Sequence, residues 1–192
     1  MGERWIRWTC IVALLGALTG CVPDADQPLT DPGRDAIDAA MLGTWYWNEE
    51  GENGFVHIGT NEAGDRLHLL MITHYRDGEM EVGEFSGHPS VIGGNIYLNL
   101  KAARPYMGAP EGVFFMKVIP SDTSLGVAFM DPDTVKAAIG AGTLKGTVGR
   151  PGDSRALHIT DTPARLRDFI LRHDATLYAT VKVLPRLVLP KS

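Results

Sequence analysis

The sequence predicts a mainly β (α+β) fold: an antiparallel meander curled into a small barrel-like sheet, with two short helices. Three observations predict it. Apolar residues alternate with polar ones in a series of short segments, and clusters of turn-forming residues separate those segments. The 22 glycines and 12 prolines also exceed what a helix bundle tolerates. A length of 192 residues with 44% apolar content fits a single domain with an ordinary core.

The first 20 residues predict an export signal. Two arginines precede an uncharged run, WTCIVALLGAL, which is too short to remain as a span because a spanning helix needs about 20 apolar residues. The end of this run and the three residues after it, Leu18-Thr19-Gly20-Cys21, resemble the lipobox of bacterial lipoproteins. The resemblance implies that residues 1–20 are removed and that Cys21 is lipidated. The alternative is a chance cysteine after an ordinary signal.

Lipid on Cys21 would attach the protein to a membrane, because several acyl chains at about 0.8 kcal/mol per buried methylene give lasting attachment. An aspartate after the lipid cysteine resembles an inner-membrane retention signal, and Val22 stands there instead. We therefore expect the outer membrane, facing the periplasm. The only other cysteine, Cys10, leaves with the signal, so no disulfide is expected. A net charge of -5 argues against nucleic acid as a partner.

The mature chain is expected to consist of a lipidated tether with a short helix, residues 21–41, and a single β-rich domain, residues 42–192. Residues 22–34 are rich in proline and aspartate, which predicts a solvated tether. Asp35 to Leu42 predicts a short helix that Gly43 ends.

Seven short segments with strand character follow, and consecutive strands predict an antiparallel meander whose edges are best hidden by curling. In the clearest segment Ile96, Leu98 and Leu100 share one face, which indicates that this face is buried. One segment, Val113 to Ile119, is apolar on both faces and does not indicate which face is buried. The seven segments are Thr44 to Trp47, Phe55 to Gly59, Leu67 to His74, Met80 to Phe85, Ile96 to Lys101, Val113 to Ile119 and Leu125 to Met130.

Two helices are expected to interrupt the strands. Asp131-Pro132 and Thr162-Pro163 each combine a capping side chain with a proline, whose missing N–H costs nothing at the first helical position. The second helix carries an apolar stripe, so we expect it to pack on the sheet or plug one mouth of the barrel. Further strands are predicted at Leu144 to Val148, Ala156 to Thr160 and Leu177 to Leu184.

The six histidines raise the question of a metal site, and we expect none. No two of them have the i, i+4 spacing of a helical zinc motif. If residues 61–65 form a turn that pairs Thr60 with Arg66, His57 and His68 lie on opposite faces, whereas a one-residue slip reverses this. Because no nucleophile motif or nucleotide-binding motif is present, no catalytic residue and no cofactor is predicted.

The segment Gly43-Thr44-Trp45-Tyr46 resembles the Gly-x-Trp signature that opens the first strand of lipocalins and related calycin barrels. That resemblance implies that Trp45 closes the bottom of a barrel holding a small apolar ligand. The candidate ligand-binding residues are Trp45, Trp47 and Tyr97. In the alternative interpretation, both tryptophans simply pack in the core. The domain also resembles bacterial exported proteins of unassigned function, which brings no activity with it.

Together these observations favour a non-enzymatic, lipid-anchored envelope protein whose domain binds a partner protein or a small apolar ligand. A hydrolase of envelope polymers, with a site formed only by the fold, is the alternative. A closed apolar cavity above about 300 Å³ would favour a ligand. A filled interior with an exposed apolar patch would favour a partner, and acidic and histidine side chains converging in a cleft would favour an enzyme.

Overall fold

A curled antiparallel sheet is the frame of the protein, in a computed structural model that describes residues 22–49, 51–104, 110–150 and 155–188. The predicted signal, residues 1–20, and the predicted lipidation site, Cys21, lie outside the described residues. The strands are β1 (Asp24–Ala25), β2 (Gly43–Glu49), β3 (Glu52–Thr60), β4 (Leu67–Tyr75), β5 (Met80–Ile92), β6 (Asn95–Ala102), β7 (Val113–Pro120), β8 (Ser124–Phe129), β9 (Gly146–Val148), β10 (Leu157–Ile159) and β11 (Lys182–Pro185). The helices are α1 (Pro132–Gly140), α2 (Pro163–Leu177) and a 3-10 helix, Ala39–Met41. None of these helices is long and apolar enough to cross a membrane.

Strands β2 to β8 form the predicted meander, each antiparallel to the next. The expected mainly β fold with two short helices and a curled sheet is confirmed. The sheet remains open, because β2 and β11 are joined by one isolated bridge and not by a ladder. The predicted strand from Leu177 to Leu184 is shorter than expected: α2 continues to Leu177 and β11 begins only at Lys182.

The sheet divides at β7. One edge of β7 pairs with β6, and the other edge is shared, because β8 pairs with its second half while β1 pairs with Val113 and Phe114. From there β1 continues to β10 and β9, and β8 continues to β11. Both faces of β7 are covered: Phe114 faces the interior of the curl and Phe115 faces the helices. This explains why the segment is apolar on both faces.

The two ends of the curl meet at Arg186. Its backbone bridges to Trp45, and its guanidinium lies 4.1 Å from the centre of the Trp45 ring. The same guanidinium donates hydrogen bonds to the carbonyl oxygens of Leu42 at 2.8 Å and Ala40 at 2.9 Å. We call this arrangement the Arg186 clamp. It closes one end of the curl with the 3-10 helix, which is the only helical part of the segment from Asp35 to Leu42.

Two cores lie on opposite faces of the sheet. The inner core fills the curl and contains both tryptophans of the domain, Trp45 and Trp47. The outer core lies between the sheet and the helices, where Leu166, Phe169 and Ile170 of α2 pack beside Tyr97, Phe115 and Ala128 of the sheet. The second helix therefore packs on the outside of the sheet and does not plug its mouth.

In place of the predicted solvated tether, residues 22–30 are folded against the sheet, while residues 31–34 are exposed as expected. Asp24 is buried as part of β1, where its carboxylate accepts from the Gly112 N–H at 2.7 Å and contacts His158 Nδ1 at 2.7 Å. Further along, the Leu29 N–H donates to the Asn99 side chain at 2.7 Å. Composition suggested exposure because it does not reveal that the facing strands carry polar partners for this segment.

The turn between β3 and β4 is one residue longer than predicted. Thr60 pairs with Leu67 and not with Arg66, so His57 and His68 share the outer face. The side-chain oxygen of Asn61 accepts from the backbone of Arg66 at 3.2 Å, which holds the longer turn. Among the described residues, no group of three or more His, Cys, Asp or Glu side chains could hold a metal ion.

Replacing Arg186 with methionine is expected to lower the free energy of unfolding by about 3 kcal/mol. The variant loses the stacking on Trp45 and three charge-assisted hydrogen bonds, the third of them to Asp122 O at 3.1 Å. Urea titration measures the loss. The matched control is Arg172→Met, since Arg172 is exposed on α2 and donates a hydrogen bond to Asp168 O of its own helix. The control should change stability by no more than about 0.5 kcal/mol. Equal losses in the two variants would contradict the role of the clamp.

Candidate functional site

An apolar cavity lies inside the curl. It has a volume of about 50 Å³, and all of its lining side chains are aliphatic, aromatic or methionine: Trp47, Val56, Ile58, Leu69, Met71, Phe85, Leu100, Phe114, Met116, Leu125, Val127, Phe129 and Leu184. They come from seven neighbouring strands of the curl, β2 to β8, and from β11, because period-two alternation sends every second side chain inward. The cavity is far below the volume of about 300 Å³ above which a pocket favours a small ligand.

Polar side chains stand beside this cavity, at the end of the curl remote from the clamp. We call this group the polar end and define it as Trp47 and Glu49 of β2, Glu52 of β3, Tyr75 of β4, Glu81 of β5 and Lys182 of β11. Register places them on the inner face: Trp47 is opposite Gly54 and Glu49 opposite Glu52, while Lys182 is opposite Val127, an inner-core residue. Trp47 belongs both to the polar end and to the cavity wall.

The centre of the polar end is an ion pair over an indole ring. Lys182 Nζ lies 3.0 Å from Glu49 Oε2 and 5.5 Å from the centre of the Trp47 ring. The Lys182 side chain is only 8% exposed. The distance between Lys182 Nζ and Glu49 Oε2 is that of an ion pair. The angles between the two groups are not those of a hydrogen bond, so Lys182 Nζ has no hydrogen-bond partner among the described residues. A buried ammonium in this state attracts an acceptor.

Three polar atoms of this cluster are buried without a hydrogen-bond partner among the described residues: Trp47 Nε1, Glu52 Oε1 and Lys182 Nζ. Glu52 is 5% exposed and Trp47 is 3% exposed. An unsatisfied buried donor or acceptor costs about 1–3 kcal/mol, and native proteins leave few of them. Three such atoms beside one cavity are therefore the feature of this fold that most needs an explanation.

Burial also alters the acids of the polar end. It raises the pKa of the Glu52 carboxyl above its ordinary value; Lys182 opposes this shift, and Glu49 adds to it. Burial likewise raises the pKa of Tyr75 to about 12, and the hydrogen bond that its hydroxyl donates to Glu81 at 2.8 Å adds to the effect. The polar end thus disfavours additional uncompensated negative charge.

A glycine fixes the indole of Trp47. A Cβ atom at Gly54 would overlap the Trp47 ring and the carbonyl oxygen of Ile72. Only glycine lets the indole lie flat against β3 with its ring over the backbone. The position of the Trp47 N–H is therefore set by close backbone contact and not by a free rotamer.

The structure places the three candidate ligand-binding residues in three different environments. Trp47 lines the cavity. Trp45 is buried under the Arg186 clamp at the other end, where its Nε1 donates to Met41 O at 3.0 Å. Tyr97 lies on the outer face beneath α2, and its hydroxyl donates to Asp174 Oδ1 at 2.5 Å. Only Trp47 reaches the site, and sequence reasoning missed Glu52 and Lys182.

A second polar cluster has a structural role. Asp174 of α2 accepts from Tyr97 and pairs with Lys117 Nζ at 2.5 Å, so it fastens the helix to β6 and β7. The neighbouring Tyr178 hydroxyl is fully buried, and burial raises its pKa well above the ordinary value. This cluster is covered by the helix and does not adjoin the cavity.

Acidic and histidine side chains also meet at β1. His158 contacts Asp24 through Nδ1 at 2.7 Å and Asp26 through Nε2 at 3.0 Å. Both nitrogens of the ring are engaged, and Asp24 is held by a backbone N–H as well. The trio fastens the N-terminal segment to the sheet, and the two nitrogens that general-base chemistry would use are occupied.

No protein-family model matches the sequence, and neither the curated proteins nor the solved structures give a significant match.

The elevated pKa of Glu52 has a testable consequence for stability. The folded protein holds this proton more tightly than the unfolded chain, whose carboxyl has a pKa near 4.5. The stability from this group is therefore complete below about pH 4.5 and is lost as pH rises from that value through the higher pKa of the folded state. In Glu52→Gln this loss is absent. The difference in unfolding free energy, variant minus wild type, should increase from pH 4 to pH 7, as measured by urea titrations at each pH.

The control for removing a carboxylate is Glu62→Gln, which lies in the exposed turn between β3 and β4. A difference between Glu52→Gln and wild type that stays constant across this pH range would contradict the burial of the charge.

Proposed function

We propose that this protein is a non-enzymatic, lipid-anchored module of the bacterial cell envelope that binds a small apolar ligand inside its curled sheet. The observation that carries the proposal is the apolar cavity beside three unsatisfied polar atoms of the polar end. Three of the four buried polar atoms that lack a hydrogen-bond partner among the described residues lie there, and each costs free energy unless a ligand satisfies it. The Arg186 clamp closes the opposite end, so a ligand would reach the interior from the polar end.

The small size of the cavity requires that the ligand be accommodated by movement. At about 50 Å³ it has a third of the volume, about 150 Å³, of an engineered apolar void that takes up benzene. Met71 and Met116 both line it. Methionine is unbranched and flexible, so these two side chains can shift to enlarge the space. We therefore expect the interior to expand when a ligand binds.

Replacing Met116 with alanine is expected to enlarge the cavity, lowering the free energy of unfolding by about 3 kcal/mol and tightening the binding of benzene. Isothermal titration with benzene and urea unfolding measure the two effects. The control is Met80→Ala, since Met80 is 60% exposed on the outer face and should affect neither. If neither the wild type nor Met116→Ala binds benzene, an interior ligand site is refuted.

A partner protein is the second candidate, and a different observation favours it. Four apolar side chains stand directly opposite one another on the outer face of β2 to β5: Tyr46, Phe55, Ile72 and Val82. Tyr46 is 40% exposed and Val82 49% exposed. The helices pack on β6 to β8 and leave this row in contact with solvent. A contiguous exposed apolar row is typical of an interaction surface.

Val82→Glu places a charge in the row and is expected to abolish co-purification of a partner without unfolding the domain. Leu171→Glu is the matched control, because Leu171 is equally exposed, at 50%, but lies on α2. Crosslinking in cells followed by purification measures the effect. A partner retained by Val82→Glu, or lost equally in both variants, would exclude the row as its docking surface.

The lipid anchor is proposed from the sequence alone, on the lipobox that ends at Cys21. Serine at this position has no thiol to accept a lipid. We expect Cys21→Ser to leave the precursor unprocessed by the lipoprotein pathway and without incorporated lipid, measured by metabolic labelling with a fatty acid and by membrane fractionation. Labelling of the variant at the wild-type level would contradict lipidation at Cys21.

A further inference from the structure

We propose that the polar end recognises the head of an amphipathic small molecule, and that this head is uncharged and both accepts and donates a hydrogen bond, as a primary alcohol or a primary amide does. The inference rests on the proposed interior ligand site and specifies the chemical class that enters it. The apolar part of the molecule would occupy the cavity, and its head would lie between Trp47 and Glu52.

Unpartnered polar atoms stand next to the cavity. Trp47 contributes its ring to the cavity wall, while its Nε1 atom is buried and unpartnered. Glu52 stands on the neighbouring strand, two residues from Gly54, which is directly opposite Trp47. Such diagonal neighbours on one face of a sheet are close enough for one small group to contact both. The head of a molecule in the cavity would therefore lie against Trp47 and within reach of Glu52.

The unpartnered atoms of Trp47 and Glu52 require opposite hydrogen-bonding roles from the ligand. An indole N–H only donates, so Trp47 requires an acceptor on the ligand. The unpartnered Oε1 atom of the Glu52 carboxylate accepts, so it requires a donor. A hydroxyl or a primary amide supplies both from one small group. An alkane supplies neither, and it would leave both atoms buried and unsatisfied.

The charges around the site determine which charge the head can carry. Lys182 already pairs with Glu49 at 3.0 Å, so its charge is balanced and an incoming carboxylate would add uncompensated negative charge. Glu52 is buried, and burial raises its pKa, so a further anion beside it is disfavoured. An ammonium head could pair with Glu52, but it would lie against the Lys182 ammonium and offer no acceptor to Trp47. The observations thus favour a neutral head over either ion.

The test uses five probes of six carbons that differ in the head: n-hexane, hexan-1-ol, hexanamide, hexylammonium and hexanoate. Titration calorimetry of the purified protein is expected to show hexan-1-ol and hexanamide binding about tenfold more tightly than n-hexane and than either ion. Both should also shift the indole N–H resonance of Trp47 in an NMR spectrum, a resonance identified by its loss in Trp47→Phe.

Three variants separate the two protein groups that would bind the head. Trp47→Phe retains an aromatic wall without the donor, so it should weaken hexan-1-ol about tenfold and leave n-hexane unchanged. Glu52→Leu should do the same through the lost acceptor. Glu52→Gln keeps an acceptor oxygen and should retain the preference for the alcohol. The exposed Lys101→Met on the outer face of β6 is the control for removal of a charge.

The outcomes distinguish this inference from the function on which it rests. Equal affinities for n-hexane and hexan-1-ol, or tightest binding of an ion, would overturn the head-group site and keep the interior ligand site. An unchanged Trp47 resonance during hexan-1-ol binding would overturn it too. If none of the five probes binds, n-hexane included, the interior ligand site itself fails, and the inference fails with it.

Discussion

The stacking of Arg186 on Trp45 is the interaction on which the rest of the architecture depends. It brings the last strand beside the first strand of the meander and converts an extended sheet into a curl with one closed end. Because β2 and β11 leave the clamp side by side, Trp47 and Lys182 lie near each other at the other end. The apolar interior, the sealed end and the polar end are thus consequences of one contact between residues that are distant in sequence.

Much of the strand pattern could be predicted, because apolar and polar residues alternate locally along the strands. Each hairpin of the meander needs only two neighbouring segments and a turn, and a period of two along β6 identifies its inner face directly. The N-terminal segment could not be predicted in this way. Asp24 and Leu29 are buried because they contact His158 and Asn99 on the folded sheet. Amino-acid composition does not reveal partners that lie so far along the chain.

The residues of the candidate site were harder to predict from the sequence than the strands of the sheet. Trp47 was a candidate and does line the cavity, since an inward tryptophan on an edge strand has few other places to pack. Glu52 lies in a stretch of Glu, Gly and Asn that is typical of an exposed turn, and its burial follows from the return of β11. Tyr97 alternates with Leu98 and therefore lies on the opposite face of β6, which α2 covers.

The termini of the domain impose an order on its folding. The bond between His158 and Asp24 spans 134 positions, and the one between Arg186 and Ala40 spans 146. Contacts of such long range form late, because the entropy of closing the intervening chain must be overcome first. A nascent chain therefore carries an unsealed meander with bare strand edges until its final segment has been released. During that interval the unfinished sheet can pair with other chains, because unpaired strand edges offer free N–H and C=O groups to any neighbouring strand.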